Sequence, residues 1–263
     1  MDAELAERAA AGLEAVRGQI ETFLADFGNV ASEWKPDRTR VTQADRRIGE
    51  EITAFLRRRF PDDDVFSEEM ESGSLIRKGR HSWVLDPIDG TNNYATGFPH
   101  CAISLGLLRD GFPIHGIIYD HARRTLFHGG PGAGLFANGS PLPRPTADQA
   151  LGFIGLHSAS GQPRAEELGG VLNAWKIRAL GSAALHLAYT ATGFLRGAVD
   201  YKTRVWDIAA ACALCDTAGI EIRFLDGSPF PLREFSPDMP RVRYCAGPPE
   251  VARELESLLR NAG

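Results

Sequence analysis

Four carboxylates in this sequence close short apolar segments: Glu68 after Val65-Phe66-Ser67, Asp86 and Asp89 after Trp83-Val84-Leu85, and Asp207 after Val205-Trp206. A fifth, Asp45, stands three residues after Thr42, where a helical pattern begins. Two acids so close to an apolar strand lose hydration free energy unless something positive neutralises them, and a bound cation does that. In Asp86-Pro87-Ile88-Asp89-Gly90-Thr91, the proline is expected to stop the ladder and Asp-Gly to turn the backbone, so that both carboxylates and the Ile88 carbonyl converge. Oxygen-only donors of that kind suit Mg2+. A helix starting near Thr91 would aim its free N–H groups at the same place and hold a phosphate. Taken alone, the stretch fits equally an Asp-Gly turn with a solvated acid on each side, and Asp45 alone reads as an ordinary helix-start acid.

The elements that must position these acids follow from periodicity. Residues 2–27 carry apolar side chains at Leu5, Ala9, Leu13, Val16, Ile20, Phe23, Leu24 and Phe27, spacings that predict one long amphipathic helix. Residues 28–40, with Trp34, Lys35 and Pro36, read as a surface connection. A second helix is predicted over 42–60, with Thr42 as N-cap and Asp45 in the capping-box position that Glu or Gln usually fills. Beyond the central stretch the period changes to two. A hairpin over 101–108 and 114–119, strands at 125–128 and 134–137, and turns at Asp110-Gly111 and Asn138-Gly139 predict antiparallel sheet. Residues 141–145 read as a crossing between two halves, 1–145 and 146–263, the second carrying Asp207. There the pattern predicts strands at 151–156, 177–180, 220–224 and 243–246. It predicts helices over 183–192 behind a Ser182 cap, up to Ala218 before Gly219, and from Pro249 onward.

Composition excludes several classes. At 263 residues, with 43% hydrophobic and 24% charged residues, the chain has ample material for a core. A net charge of −5 gives no basic footprint for nucleic acid, and no stretch has the length and apolarity of a membrane span or the charge pattern of a signal peptide. The expectation is a cytoplasmic protein that binds neither nucleic acid nor membrane. Cys101, Cys212, Cys215 and Cys245 lie in apolar surroundings, and Cys212-Ala-Leu-Cys215 reads as mid-helix packing, not a redox turn. The seven histidines show no zinc-ligand spacing.

Together the acidic motifs resemble the inositol monophosphatase family of Mg2+-dependent, lithium-sensitive phosphatases. The resemblance rests on Trp83-Val-Leu-Asp-Pro-Ile-Asp-Gly-Thr-Asn-Asn-Tyr94 and on Trp206-Asp207-Ile208-Ala209-Ala210. Val41-Thr-Gln-Ala-Asp45, Phe66-Ser-Glu-Glu69 and Gly181-Ser-Ala-Ala184 add to it, all in family order along nearly the whole chain. It implies an α/β (α+β) fold, a layered α-β-α-β-α sandwich of the inositol monophosphatase and fructose-1,6-bisphosphatase type, in a homodimer. It implies two or three Mg2+ ions per site, with inhibition by Li+ or Ca2+. Glu68, Asp86 and the Ile88 carbonyl would hold one ion, Asp86, Asp89 and Asp207 a second, and Glu68 with waters a third near Asp45. The Gly90 and Thr91 amides would bind phosphate, and the Thr91 hydroxyl with Asp45 would orient the attacking water. Ser182, Ala183 and Asp200 would meet the small phosphorylated substrate.

The chain departs from the family pattern in places. Asp200 stands where an inositol-reading Glu is usual, Lys202 replaces a Gly, Arg204 adds charge, and Ser67 replaces the Gly before Glu68-Glu69. Residues 199–204 therefore read either as a surface hairpin with solvated basic side chains or as a second anion site. Asn92-Asn93-Tyr94-Ala95 follows the inositol phosphatase pattern. The expected reaction is hydrolysis of inositol-1-phosphate. The alternatives are a fructose-1,6-bisphosphatase, a bisphosphate nucleotidase, or a catalytically silent regulatory protein whose mark would be a lost metal ligand.

Overall fold

The amphipathic N-terminus folds as two helices instead of one. In the computed structural model, which describes residues 2–34, 40–70, 73–146, 152–157 and 165–260, α1 (Ala3–Gly18) and α2 (Ile20–Asp26) part at Gln19. Gly18 is a poor helix former. The apolar spacing runs through the break because both helices feed one core, through Val16 of α1 and Phe23 of α2. Asp2 caps α1, its carboxylate accepting from the Leu5 N–H at 2.8 Å. Strands β1 (Ser32–Trp34) and β2 (Arg40–Thr42) pair antiparallel, while Lys35 and its neighbours to 39 lie outside the described residues. The expected capping box opens α3 (Gln43–Arg59): Asp45 accepts from the Thr42 N–H at 2.8 Å and donates its own N–H to the Thr42 hydroxyl oxygen.

Next come β3 (Asp64–Ser67), β4 (Leu75–Ile76), β5 (His81–Asp89) and the short α4 (Thr91–Thr96). Pro87 does not end β5 as expected. The strand continues to Asp89 because a bulge between Asp86 and Asp89 takes the residue without an N–H out of the ladder. The meander β6 (Ala102–Arg109), β7 (Phe112–Asp120), β8 (Thr125–Gly130), β9 (Gly134–Ala137) and β10 (Ser140–Leu142) follows. Asp110-Gly111 and Asn138-Gly139 have positive φ at both positions, as hairpin turns of primed type require. The start of the expected crossing at 141–145 is thus the edge strand β10.

The remaining elements are β11 (Phe153–Leu156), α5 (Ala165–Ala174), β12 (Lys176–Arg178), α6 (Ala183–Ala191), β13 (Gly197–Thr203), α7 (Val205–Ala218), β14 (Glu221–Phe224), β15 (Glu234–Phe235), β16 (Val242–Gly247) and α8 (Pro249–Arg260). Residues 199–203 are no surface hairpin: β13 lies inside a five-stranded sheet, between β11 and β16. The larger sheet has the order β10-β9-β8-β7-β6-β5-β3, antiparallel except for β3 beside β5.

Stacking these elements gives the α-β-α-β-α sandwich. α1 and α3 cover one face of the seven-stranded sheet over a core containing Ile48, Ile52, Trp83 and Leu105. α6 and α7 fill the space between the two sheets, and α8, with α5 against it, covers the outer face of the smaller one. α7 lies unusually close to β6 and β7. A Cβ on Gly116 would sit 2.0 Å from the Ala210 carbonyl oxygen, and one on Gly106 2.9 Å from the Ala210 nitrogen. Backbone meets backbone there, which fixes the height of the α7 N-terminus above the end of β5.

Candidate active site

At that N-terminus, Asp207 is the third residue of α7, and its carboxylate accepts from the Arg204 N–H at 2.7 Å. The bulge at the end of β5 brings Asp86 and Asp89 to the same point, with carboxylate oxygens of all three aspartates within 4.8 Å of one another. Asp86 also accepts from the Ile88 N–H at 3.0 Å, so the bulge orients the carboxylate as well as the chain. Asp89 accepts from the Ser182 hydroxyl and, at 2.7 Å, from the Ala184 N–H at the start of α6. The same Ser182 oxygen caps α6 by accepting from the Leu185 N–H. Glu68 follows β3 directly, and its N–H donates to the Leu85 carbonyl at 3.0 Å, which brings it alongside Asp86.

The second part of the site is at α4. Gly90 has φ 86° and precedes Thr91, the first residue of α4. A side chain at Gly90 would lie 3.0 Å from the His100 carbonyl. The Thr91 hydroxyl is 2.9 Å from the Ile88 carbonyl and 3.3 Å from the buried Asp45 carboxylate, so its one proton can serve either. Asn93 ties α4 down by donating to the His100 and Leu180 carbonyls, each at 2.7 Å.

Crowded burial sets the electrostatics. Asp86 and Asp207 are pushed well above the usual carboxylate range by burial, and the negative charges of Glu68 and Asp89 push both further in the same direction. Asp89 is raised to about 6, burial outweighing its hydrogen bonds from Ser182 and Ala184. Asp45 is raised to about 7 by burial, against the opposing bond from Thr42. Such a set resists full ionisation, and the all-oxygen donors of Glu68, Asp86, Asp89 and Asp207 fit a hard divalent cation that would neutralise them.

These groups share a cavity of about 730 Å³. Its lining includes every acid singled out in the sequence except Asp45, which reaches it through Thr91, together with Gly90, Ser182, Ala183, Asp200 and Lys202. Asp200 is buried and raised to about 7. Arg204 does not join the lining; its guanidinium lies 5.9 Å from the Trp206 ring. The wall also holds Asn93 of the central motif, and His157, Arg241 and Arg40, which carried no motif. Arg40 could have been noticed just ahead of Val41-Thr42, whereas Arg241 stands far from any motif and gives no signal.

A profile of the inositol monophosphatase family matches residues 2–259. The chain belongs to this family. It is a phosphatase of that kind. A probable inositol 1-monophosphatase, ImpA, of Mycobacterium tuberculosis is 34% identical over 99% of the chain and 96% of its own length. A fructose-1,6-bisphosphatase/inositol-1-monophosphatase of Aquifex aeolicus is 30% identical over 78% and 80%. Among solved structures, the extragenic suppressor protein suhB of Bartonella henselae superposes with a TM-score of 0.82 at 27% identity, covering 95% of this chain and 97% of the other. The family fold agrees with the observed layers. Among the described residues no helix is long and apolar enough to cross a membrane.

Proposed function

We propose that the chain hydrolyses phosphomonoesters of polyhydroxylated alcohols in a Mg2+-dependent reaction, with inositol-1-phosphate as a substrate. The observation that carries this reading is the convergence of Asp86, Asp89 and Asp207 beside the Thr91–Asp45 pair. Glu68, Asp86 and the Ile88 carbonyl would hold one ion and Asp86, Asp89 and Asp207 another, with Glu68 contributing to a third. When bound, Mg2+ supplies a water of lowered pKa and neutralises charge on the phosphoryl oxygens. The chain's own groups do the rest. Gly90 and Thr91 present backbone N–H groups to the phosphate, and the Thr91 hydroxyl orients the attacking water, taking its proton as the hydroxyl's own passes to the buried Asp45 carboxylate.

The name of the Mycobacterium tuberculosis relative supports inositol-1-phosphate. A second reading, fructose-1,6-bisphosphate, is favoured by Lys202 and Arg241 on the cavity wall and by the double name of the Aquifex aeolicus relative. A silent binding protein is disfavoured, since each metal-ligand position of the motifs keeps its acid. The experiment is phosphate release from inositol-1-phosphate with Mg2+ and after full chelation. Chelation should abolish release, and activity surviving it would sink the mechanism.

A further inference from the structure

Among the described residues, three cationic side chains line the cavity: Arg40, Lys202 and Arg241. Lys202 belongs to β13, and Arg241 donates from its Nη1 to the Lys202 carbonyl at 3.2 Å, so both stand on the wall of the smaller sheet. Arg40 comes instead from the β1–β2 ribbon, which packs against α4. Side chains alternate along a strand, so Arg40 shares its face of β2 with Thr42. The Thr42 hydroxyl donates to the Asp45 carboxylate, and the same carboxylate meets the Thr91 hydroxyl. Arg40 is therefore turned toward the end of the cavity that holds Thr91.

The guanidinium is held in place before any ligand arrives. Arg40 pairs directly with Trp34 across the ribbon, and its Cζ lies 4.5 Å from the centre of the Trp34 ring. Its Nη1 donates to the Ser32 hydroxyl at 3.1 Å. Nε is buried and has no hydrogen-bond partner, a deficit that an anionic oxygen would make good. The acids of the site do not supply that oxygen. Asp45, Asp86 and Asp207 are pushed upward by the charges of other acids, and among the described residues no carboxylate lies within ion-pair distance of Arg40. A stacked guanidinium with an idle donor suits a group that enters the cavity bringing its own negative charge.

We propose that Arg40 is a catalytic residue that bonds the phosphoryl group being transferred, from the β2 side of the cavity. This assignment rests on the phosphatase reading above and adds to Gly90 and Thr91 a charged donor that no motif marks. Displacement at phosphorus spreads negative charge over the outer oxygens, and a guanidinium fixed beside them stabilises that charge as it develops. Guanidinium suits the task, since it stays charged and can bond two phosphate oxygens through parallel N–H groups. The contact is to the group that every phosphomonoester shares. Arg40 thus raises the rate without selecting the alcohol.

The test compares wild type, Arg40→Ala and Arg40→Lys on p-nitrophenyl phosphate and inositol-1-phosphate with Mg2+. Arg40→Ala should lower kcat/KM about 100-fold, and by similar factors on both compounds, because they share only the phosphoryl group. Arg40→Lys keeps the charge without the fork and should fall between. Guanidinium chloride at subdenaturing concentration should restore part of the lost rate to Arg40→Ala and add none to wild type, a recovery that a merely structural role does not allow. Arg40→Ala should also keep the Mg2+-dependent rise in Tm. Full activity in Arg40→Ala, a loss confined to one compound, no recovery with guanidinium, or disappearance of the Mg2+ effect on Tm would overturn the proposal. Absence of Mg2+-dependent release from both compounds by wild type would instead strike the phosphatase reading. In that case calorimetry with inorganic phosphate and Mg2+ decides: a Kd raised about tenfold in Arg40→Ala supports the assignment, and equal Kd values, or no binding by wild type, refute it.

Discussion

Replacing Asp89 by Asn should make the protein more stable without metal and less stable with it. The carboxyl is raised from 3.8 to about 6, chiefly by burial. A group raised in the folded state contributes stability that is full below about 3.8 and is lost as pH rises through about 6. At pH 7.5 the metal-free protein therefore carries a cost of ~3 kcal/mol for holding Asp89 ionised. Asn removes that charge. Both Ser182 and Ala184 donate to one oxygen, so the amide oxygen can accept both while its nitrogen takes the place facing Asp86 and Asp207. Weaker hydrogen bonds to a neutral acceptor return about 1 kcal/mol of the gain. The net, ~2 kcal/mol, corresponds to a rise in Tm of roughly 4–8 °C for a chain of this size. With Mg2+ at about 100 times its Kd, wild type gains ~2.7 kcal/mol that the variant forgoes. The order of stabilities should thus cross between chelator and saturating Mg2+ in a thermal unfolding experiment. Phosphate release should fall at least about 100-fold. An Asp89→Asn protein no more stable than wild type in chelator, or one with the full Mg2+ shift, would refute the reasoning.

Other expectations follow from the same geometry. Asp45→Asn should lower kcat about 100-fold or more while keeping most of the Mg2+-dependent rise in Tm, because Asp45 meets Thr91 and Thr42 instead of the aspartate cluster. Gly116→Ala should cost several kcal/mol by chemical unfolding and raise the Mg2+ concentration for half-maximal activity, since its Cβ would fall 2.0 Å from the Ala210 oxygen. His115, buried beside His128, is lowered by burial from 6.5 to about 4. Its contribution is present above about 6.5 and lost as pH falls toward about 4. His115→Gln should therefore reduce the stability lost between pH 7.5 and 5 by ~2 kcal/mol, read as the difference in unfolding free energy at the two pH values.

What the sequence shows of this site depends on how each residue is constrained. Glu68, Asp86, Asp89 and Asp207 are legible because each closes an apolar segment, where an acid has no local reason to be, whereas Asp45 has the local role of a helix-start acid and stands out only through its motif. The placement of Asp89 is less legible: Pro87 signals the end of a strand, and only pairing with β6 reveals a bulge that carries the ladder past it. The wall on β13 is hidden further, because Asp200-Tyr-Lys-Thr-Arg has the composition of a solvated turn, and burial of Asp200 depends on flanking strands from distant parts of the chain. Arg241 and His157 are set by that same register, and no local pattern marks either. The break at Gln19 escapes notice because both helices keep their apolar residues on one core.

The contact of Gly106 and Gly116 with the Ala210 backbone has a bearing on ion size. Mg2+ takes oxygens at 2.0–2.1 Å and Ca2+ at about 2.3–2.6 Å, so the two differ by only a few tenths of an ångström in the ring of donors they accept. Asp86 and Asp89 belong to the sheet and Asp207 to α7, and the separation of sheet from helix is set where no side chain intervenes. For a metal held by these three aspartates, discrimination by ionic radius would then reside partly in two glycines and an alanine outside the donor set. Small apolar residues at a helix–sheet seam can act as the calliper of a charged centre some distance away.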